Sequence, residues 1–183
     1  MIPDVIQTER LTLRPFRDQD IDDVLEYARD PEWARYLPVP QPYTRKDAEQ
    51  FVADQLLADR NVDPAWAIAL NGAPVGGISL GLDLPNRVAV MGYSIARHLW
   101  GLGYVTEAAK TIIDSAFSCY IELNKIKAMA DPRNIGSLRV MEKVGMAKEG
   151  VLRQNRVERG EIVDESWCGI LRAEWEARKE TAE

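Results

Sequence analysis

The sequence predicts an α/β domain with a mixed sheet, and three observations carry that expectation. Strand-like runs joined by turn residues occupy the middle of the chain, ending near residue 96. A long amphipathic helix pattern then separates them from a further short strand. A second helix and a long hairpin close the chain, so helices and strands alternate in its later half.

Taken in order, "TERLTLR" (8–14) alternates and reads as a first strand. Asp18 is placed to cap a helix that carries Ile21, Val24, Leu25 and Ala28 on one side. Residues 31–43, "PEWARYLPVPQPY", read as a proline-punctuated loop. Thr44 and Asp47 have capping-box spacing ahead of Ala48, Phe51, Val52 and Leu56. "AWAIAL" (65–70) and "PVGGISLGL" (74–82) flank the hairpin turn Asn71-Gly72, and 87–96 is the next strand. Val105, Ala108, Ala109, Ile112, Ile113, Ala116 and Phe117 then recur with helical period. "KIKAMA" (125–130) is a short strand, and Asn134 caps a helix that stops at Gly145. The end reads as two strands, 150–158 and 161–171, joined at Arg159-Gly160.

Composition narrows the function classes. The 183 residues suit one domain, 1–183, with 46% hydrophobic and 28% charged residues. A net charge of −6 argues against a partner held by its phosphate backbone, so no nucleic acid is expected. No apolar run is long enough for a membrane span, and "MIPDVIQTERLTLRPF" is unlike a secretory signal. Cys119 and Cys168 are isolated, so neither a disulfide framework nor a metal site is expected. The cytoplasm is the simplest compartment.

The stretch "WGLGYVTEAAKTIIDSAF" (100–117) raises the question of function. Gly101 and Gly103 sit at the mouth of the long helix, where free N–H groups and the helix dipole favour an anion. On spacing alone the same glycines serve equally well as a tight strand-to-helix turn. A Rossmann fingerprint would need a glycine where Thr106 stands, and no Gly-Lys-Ser/Thr follows, so a nucleotide-dependent enzyme of another class has little support.

These residues carry a resemblance. "IARHLWGLGYVTEAA" resembles the coenzyme-A diphosphate loop of the GNAT N-acetyltransferase superfamily, Arg/Gln-x-x-Gly-x-Gly/Ala, over His98 to Gly103. His98 departs from the usual first residue. The Trp-Gly-x-Gly-Tyr-x-Thr-Glu-Ala form is similar to the ribosomal-protein alanine acetyltransferase (RimJ/RimL) branch. "NIGSLRVMEKVGMAKEGVLRQ" (134–154) resembles a second block of that branch, with Met146 in place of an aromatic residue. "TERLTLRPF" and "LRAEW" (171–175) match its first strand and its tail.

The resemblance implies a GNAT-like mixed, mostly antiparallel sheet whose splayed central strands, here 88–96 and 125–130, hold acetyl-CoA in a V between flanking helices. It implies that Tyr93, Ser94 and Ile95 lie beside the pantetheine arm. It implies that His98, Trp100, Gly101, Leu102, Gly103, Tyr104, Val105 and Thr106 surround the diphosphate. Asn134 would contact the pantetheine as well as capping its helix, and Ser137 would protonate the leaving thiolate. The slot that holds a catalytic tyrosine in many family members is Met141, and a slot for a basic glutamate is Arg156. No general base is assigned: Glu158, Asp164 and Glu165 read as surface charges of the last two strands. Trp33, Tyr36 and Tyr43 fall in the loop that covers the acceptor site in GNAT folds, though loop aromatics also plug core edges. Asp22, Asp23 and Glu26 read as a solvated helix face, and Trp66, Trp167 and Trp175 as packing residues. The expected activity is N-acetylation of a primary amine, a protein N-terminus or a small molecule, by direct attack on acetyl-CoA in a monomer or homodimer. The alternative is an acyl-CoA-binding or sensing protein without catalysis, which Met141 and Arg156 motivate.

Overall fold

The computed structural model describes residues 1–180. The N-terminal segment folds back on itself where alternation predicts one strand. β1 (Ile6–Gln7) and β2 (Thr12–Arg14) pair antiparallel. Between them the Thr8 N–H donates to the Leu11 carbonyl at 2.9 Å, and the Leu11 N–H to Thr8 Oγ1 at 2.9 Å. A threonine side chain has competed with the ladder for the backbone and turned it.

The first helix, α1 (Ile21–Ala28), starts behind one 3₁₀ turn at Asp18–Asp20. The residue that organises this start is Asp20 rather than Asp18. Its carboxylate accepts the Arg17 N–H at 2.9 Å and a bidentate pair from Arg14 at 2.7 and 2.8 Å. The proline-rich loop contains a short helix, α2 (Pro31–Ala34), with Pro31 in its first turn and Asp30 accepting the Glu32 N–H at 2.9 Å. α3 (Arg45–Leu57) begins at the expected capping box between Thr44 and Asp47.

β3 (Ala65–Leu70), β4 (Ala73–Asp83) and β5 (Val88–Ile95) form an antiparallel meander, with positive φ at both Asn71 and Gly72. α4 (Tyr104–Cys119) follows, and all seven apolar residues of its predicted stripe are buried. It leads into β6 (Lys125–Ala130), which lies parallel to β5. α5 (Ile135–Lys143) precedes the hairpin of β7 (Ala147–Glu158) and β8 (Glu161–Leu171). A final helix, α6 (Arg172–Glu180), extends beyond the two closing strands that the sequence pattern marks.

The eight strands form one sheet in the order β1-β2-β3-β4-β5-β6-β8-β7. Alternation sends neighbouring residues to opposite faces. Trp66 and Ile68 enter one core with Ile112, Phe117 and Ile126, under α4. Ala67 enters the other with Phe16, Val24, Trp33 and Val52, under α1 to α3. Arg172 and Trp175, from the "LRAEW" tail, finish the far end of α4. Arg172 donates to the carbonyls of Phe117 and Tyr120 at 2.9 and 2.6 Å, and the Trp175 ring lies 5.2 Å from that of Phe117. Cys119 is an exposed and Cys168 a buried free thiol. Among the described residues, no helix is long and apolar enough to cross a membrane.

Candidate active site

The site begins where two neighbouring strands part. β5 and β6 stay paired from Val88 and Lys125 to Met91 and Ala128, and no pairing continues beyond. From Gly92 to Ile95, β5 keeps only β4 as a neighbour, while the end of β6 pairs with β8. One edge of β5 therefore has no strand partner along Tyr93, Ser94 and Ile95, inside an otherwise continuous sheet. This is the V expected of 88–96 and 125–130.

The glycine turn lies just past that edge. A 3₁₀ turn at Arg97–Leu99 leads to Trp100, whose indole N–H donates to the Ile95 carbonyl at 2.9 Å and ties the turn to the strand. Gly101 and Gly103 have φ of +77° and +84°, a region that side chains with a Cβ avoid. Gly103 is the N-cap of α4 and brings no side chain to close it. A Cβ at Gly101 would meet nothing within 4 Å, so the space over that residue is open, while the Arg10 guanidinium stands 3.5 Å from where a Cβ of Gly103 would be. The glycines thus do both things that their spacing allows: they shape the turn and bare the helix end.

Glu107, one turn inside α4, holds this mouth in place. It accepts from Thr8 Oγ1 at 2.5 Å, from the Arg10 N–H at 2.8 Å and from Arg10 Nε at 2.6 Å. Arg10 also donates to the Leu102 carbonyl at 3.0 Å and covers the Tyr104 ring at 4.3 Å. The "TER" and "TEA" blocks, far apart in sequence, are two halves of one clamp. Burial pushes the Glu107 carboxyl up, but the bonds from Thr8 and Arg10 outweigh it and leave its pKa below the usual value. A carboxylate depressed in the folded state contributes stability above its unfolded pKa and loses it as pH falls through the folded one. Removing a hydrogen-bonded charge of this kind costs about 1.5 kcal/mol or more. Glu107→Gln is expected to lower the Tm by roughly 3–6 °C at pH 7. It should also flatten the loss of Tm below about pH 4.5, which a pH series of melting curves would read.

Across the V from β5 stands the first turn of α5. Asn134 caps that helix, its Oδ1 accepting the Ser137 N–H at 3.1 Å. Ser137 Oγ lies 2.9 Å from the hydroxyl of Tyr93, which also donates to the Ser137 carbonyl at 3.1 Å. Either hydroxyl of this pair can donate to the other. Burial pushes the Tyr93 hydroxyl up to about 12, the bond with Ser137 offsetting part of the rise. Sequence placed Tyr93 here for its backbone alone. Its side chain, reaching over the gap to Ser137, was hidden because one strand position does not reveal which helix it meets. Met141 is 1% exposed, a core residue rather than a site residue.

Other expected positions move. His98 is exposed and lines a cavity of about 560 Å³ with Asp23, Glu26 and Asp30 of the α1 region. Asp23 is not merely solvated: burial first, then the charges of Asp20, Glu26 and Asp22, push its carboxyl up. Glu165 is 4% exposed, not a surface charge, and accepts from Asn155 Nδ2 at 2.7 Å and Trp167 Nε1 at 3.3 Å. Glu158 pairs with Arg156 at 2.7 Å. Both carboxylates were read as solvated because a hairpin edge looks exposed in sequence, whereas Arg156 lies against both and Arg159 against Glu158.

The 31–43 loop closes over the α1-to-α3 face of the sheet. Trp33 and Tyr43 are buried, their rings 6.2 Å apart, with Tyr27 5.4 Å from Trp33. Arg159, at the β7–β8 tip, holds the loop by donating to the carbonyls of Ala34, Leu37 and Arg35, the first two at 3.0 and 3.3 Å. Tyr36 donates to the Arg133 carbonyl at 3.4 Å. Beneath the loop lies a cavity of about 330 Å³ that borders Gly92, Tyr93 and Ser94 of β5. Among the described residues, no group of three or more His, Cys, Asp or Glu is placed to hold a metal.

Comparison with known proteins agrees with this arrangement. The sequence profile of the acetyltransferase (GNAT) domain matches residues 10–147. The chain is 29% identical over 177 residues to the N-acetyltransferase p20 of Bacillus licheniformis, covering 94% of this chain and 98% of that protein. The crystal structure of a GNAT-family acetyltransferase from Bacillus anthracis superposes with a TM-score of 0.82 at 29% identity, over 92% of this chain and 99% of that one. RimL, a ribosomal L7/L12 α-N-protein acetyltransferase solved with coenzyme A, shares the fold at a TM-score of 0.81 and 17% identity, over 91% and 97% of the two chains. Parted strands, a bare glycine turn and a profile that spans both lead to one conclusion: the chain belongs to the GNAT family of acyl-CoA-dependent N-acetyltransferases.

Proposed function

We propose that this protein transfers the acetyl group of acetyl-CoA to a primary amine, a protein N-terminus or a small molecule, within a ternary complex. The observation that carries the reading is the pairing of the open β5 edge with the bare N-terminus of α4. An extended amide-bearing chain laid along Tyr93, Ser94 and Ile95 would complete the interrupted sheet. The diphosphate at its end would then meet the N–H groups around Gly101 to Thr106, with Trp100, Leu102 and Tyr104 shaping the turn. His98 stands on the acidic side of that turn, so backbone rather than imidazole supplies the anion contacts. RimL, solved with coenzyme A on the same fold, supports acetyl-CoA as the co-substrate. Free thiols at Cys119 and Cys168 fit a cytoplasmic protein.

In the transfer step the amine nitrogen attacks the thioester carbonyl. The C–N bond forms, the C–S bond breaks and its electron pair leaves on sulfur. Ser137 Oγ gives that sulfur a proton and recovers one through Tyr93; the proton shed by nitrogen returns through water to the same pair. A thiol has a free pKa of about 8.5, so even a weak acid suffices to hold the leaving thiolate. A Tyr93 hydroxyl pushed up to about 12 stays protonated throughout the working range. Ser137→Ala is expected to lower kcat by about 10–100-fold, Tyr93→Phe by about tenfold, with the KM for acetyl-CoA changed much less. Steady-state kinetics at saturating amine separates the two constants.

The test of the function itself is a melting curve followed by a thiol-release assay. Acetyl-CoA at about 100 times its dissociation constant should stabilise the protein by roughly 2.7 kcal/mol, while NAD and ATP should not. Released thiol should then appear with an amine. Protection without thiol release across a broad amine panel would establish a binding protein instead, and absence of protection would remove the coenzyme site.

A further inference from the structure

The cavity under α1 to α3 exists because the sheet beneath it has almost no side chains. Its floor is Gly77, Ser79, Gly92 and Ser94. A Cβ at Gly77 would come within 3.2 Å of the Phe16 ring, and one at Gly92 within 3.2 Å of Ser79 Oγ. Its walls are largely aromatic, drawn from Phe16, Tyr27, Trp33, Tyr43 and Phe51. No Asp, Glu, Lys, Arg or His lines it. Burying a charge without a partner is costly, so the part of a ligand that enters is uncharged. Trp33 is 8% exposed, and its indole N–H is buried without a hydrogen-bond partner among the described residues. Buried donors of this kind are normally satisfied, so an acceptor atom on the occupant is called for. The volume, about 330 Å³, is at the small end of ligand sites.

We infer that the acceptor is an arylalkyl amine: a primary amine joined by a short spacer to an aromatic ring that carries a hydrogen-bond-accepting substituent. The ring lies in this cavity, its substituent accepts from Trp33 Nε1, and the nitrogen sits at the border formed by Tyr93 and Ser94, where β5 leaves β6. This deepens the N-acetyltransferase reading and rests on it. Aromatic walls give the ring offset or edge contacts as well as burial. An amine whose entering part carries a second charge would have to leave it unpaired here, so polycationic amines are excluded. A free arylalkyl amine and a protein N-terminus with tyrosine first offer the same group.

The experiment measures kcat/KM for tyramine, phenethylamine, ethylamine, a Tyr-first peptide and an Ala-first peptide. In parallel, calorimetry measures tyramine binding to the enzyme without acetyl-CoA. Tyramine is expected to exceed ethylamine at least 100-fold and phenethylamine several-fold. Trp33→Phe should erase the advantage of tyramine over phenethylamine. Val39→Trp, which fills the cavity from the loop, should lower the tyramine-to-ethylamine ratio at least tenfold. Retained protection by acetyl-CoA would show that both variants are folded. A Tyr-first peptide that outruns both tyramine and the Ala-first peptide identifies a protein source, and the reverse order of tyramine and peptide a free amine; each keeps the proposal. Equal rates for tyramine and ethylamine overturn it. So does a Val39→Trp defect confined to longer acyl donors, which would give the cavity to the acyl chain. If no amine releases thiol, the transferase reading fails, and calorimetry still decides the cavity: tyramine binding lost in Val39→Trp upholds it, and no binding to the unmutated enzyme overturns it.

Discussion

Replacing Asp20 with alanine is expected to destabilise the protein by about 3–5 kcal/mol, because it strands a buried arginine. The side chains of Arg14 and Asp20 are only 6% and 5% exposed, and two parallel bonds of 2.7 and 2.8 Å join them. Arg14 retains only carbonyl partners, Pro15 at 3.0 Å and Gly72 at 3.4 Å, once the carboxylate is gone. A guanidinium does not shed its charge to escape, and the Asp20 pair holds that of Arg14 even more firmly protonated. The loss is a large share of the roughly 5–15 kcal/mol that keeps a domain folded. The Tm should fall by about 10 °C or more, and denaturant titration would give the free energy directly. The double variant Arg14→Met with Asp20→Leu should recover most of it, since apolar groups of similar size often replace a buried pair at little cost. A single-variant loss under about 1 kcal/mol would mean that water reaches the pair.

The second large effect concerns the mouth of α4. Gly101→Asn and Gly101→Asp place nearly the same shape at φ +77°, and both side chains tolerate that region better than most. Only the second adds a charge. At about 5 Å and an effective dielectric near 20, two unit charges repel by roughly 3 kcal/mol. After screening, the Asp variant should bind acetyl-CoA about 100-fold more weakly than the Asn variant, with similar stability without ligand. Calorimetric titration of both variants reads the difference. Equal affinities would place the diphosphate away from this turn.

Much of this was legible from residue patterns. The stripe from Val105 to Phe117 specified α4 and its buried face, because a helix must bury a stripe of that width. Asn71-Gly72, the Thr44 capping box and the Asn134 cap were readable for the same reason: each satisfies its own backbone locally. What failed was set by distant partners. The break between β1 and β2 depends on Thr8 turning to its own backbone and then serving Glu107. α6 has no buried residue of its own and a sequence dominated by charged side chains, so no period announced it. Tyr93 meeting Ser137 and the enclosure of Glu165 both depend on which elements the sheet order brings together.

One arrangement bears on how the protein is made. The two ends of α4 are finished by opposite ends of the chain: residues 8–10 at its mouth, Arg172 and Trp175 at its tail. The sheet has the same habit, since β8 inserts between β6 and β7. A ribosome that has delivered the glycine turn has therefore delivered a helix without its last supports. The far end of α4 is completed only after synthesis has passed residue 175, and folding waits on contacts of long sequence separation, which form slowly. Nascent chains stalled before that point should remain sensitive to protease along α4 and gain no protection from acetyl-CoA.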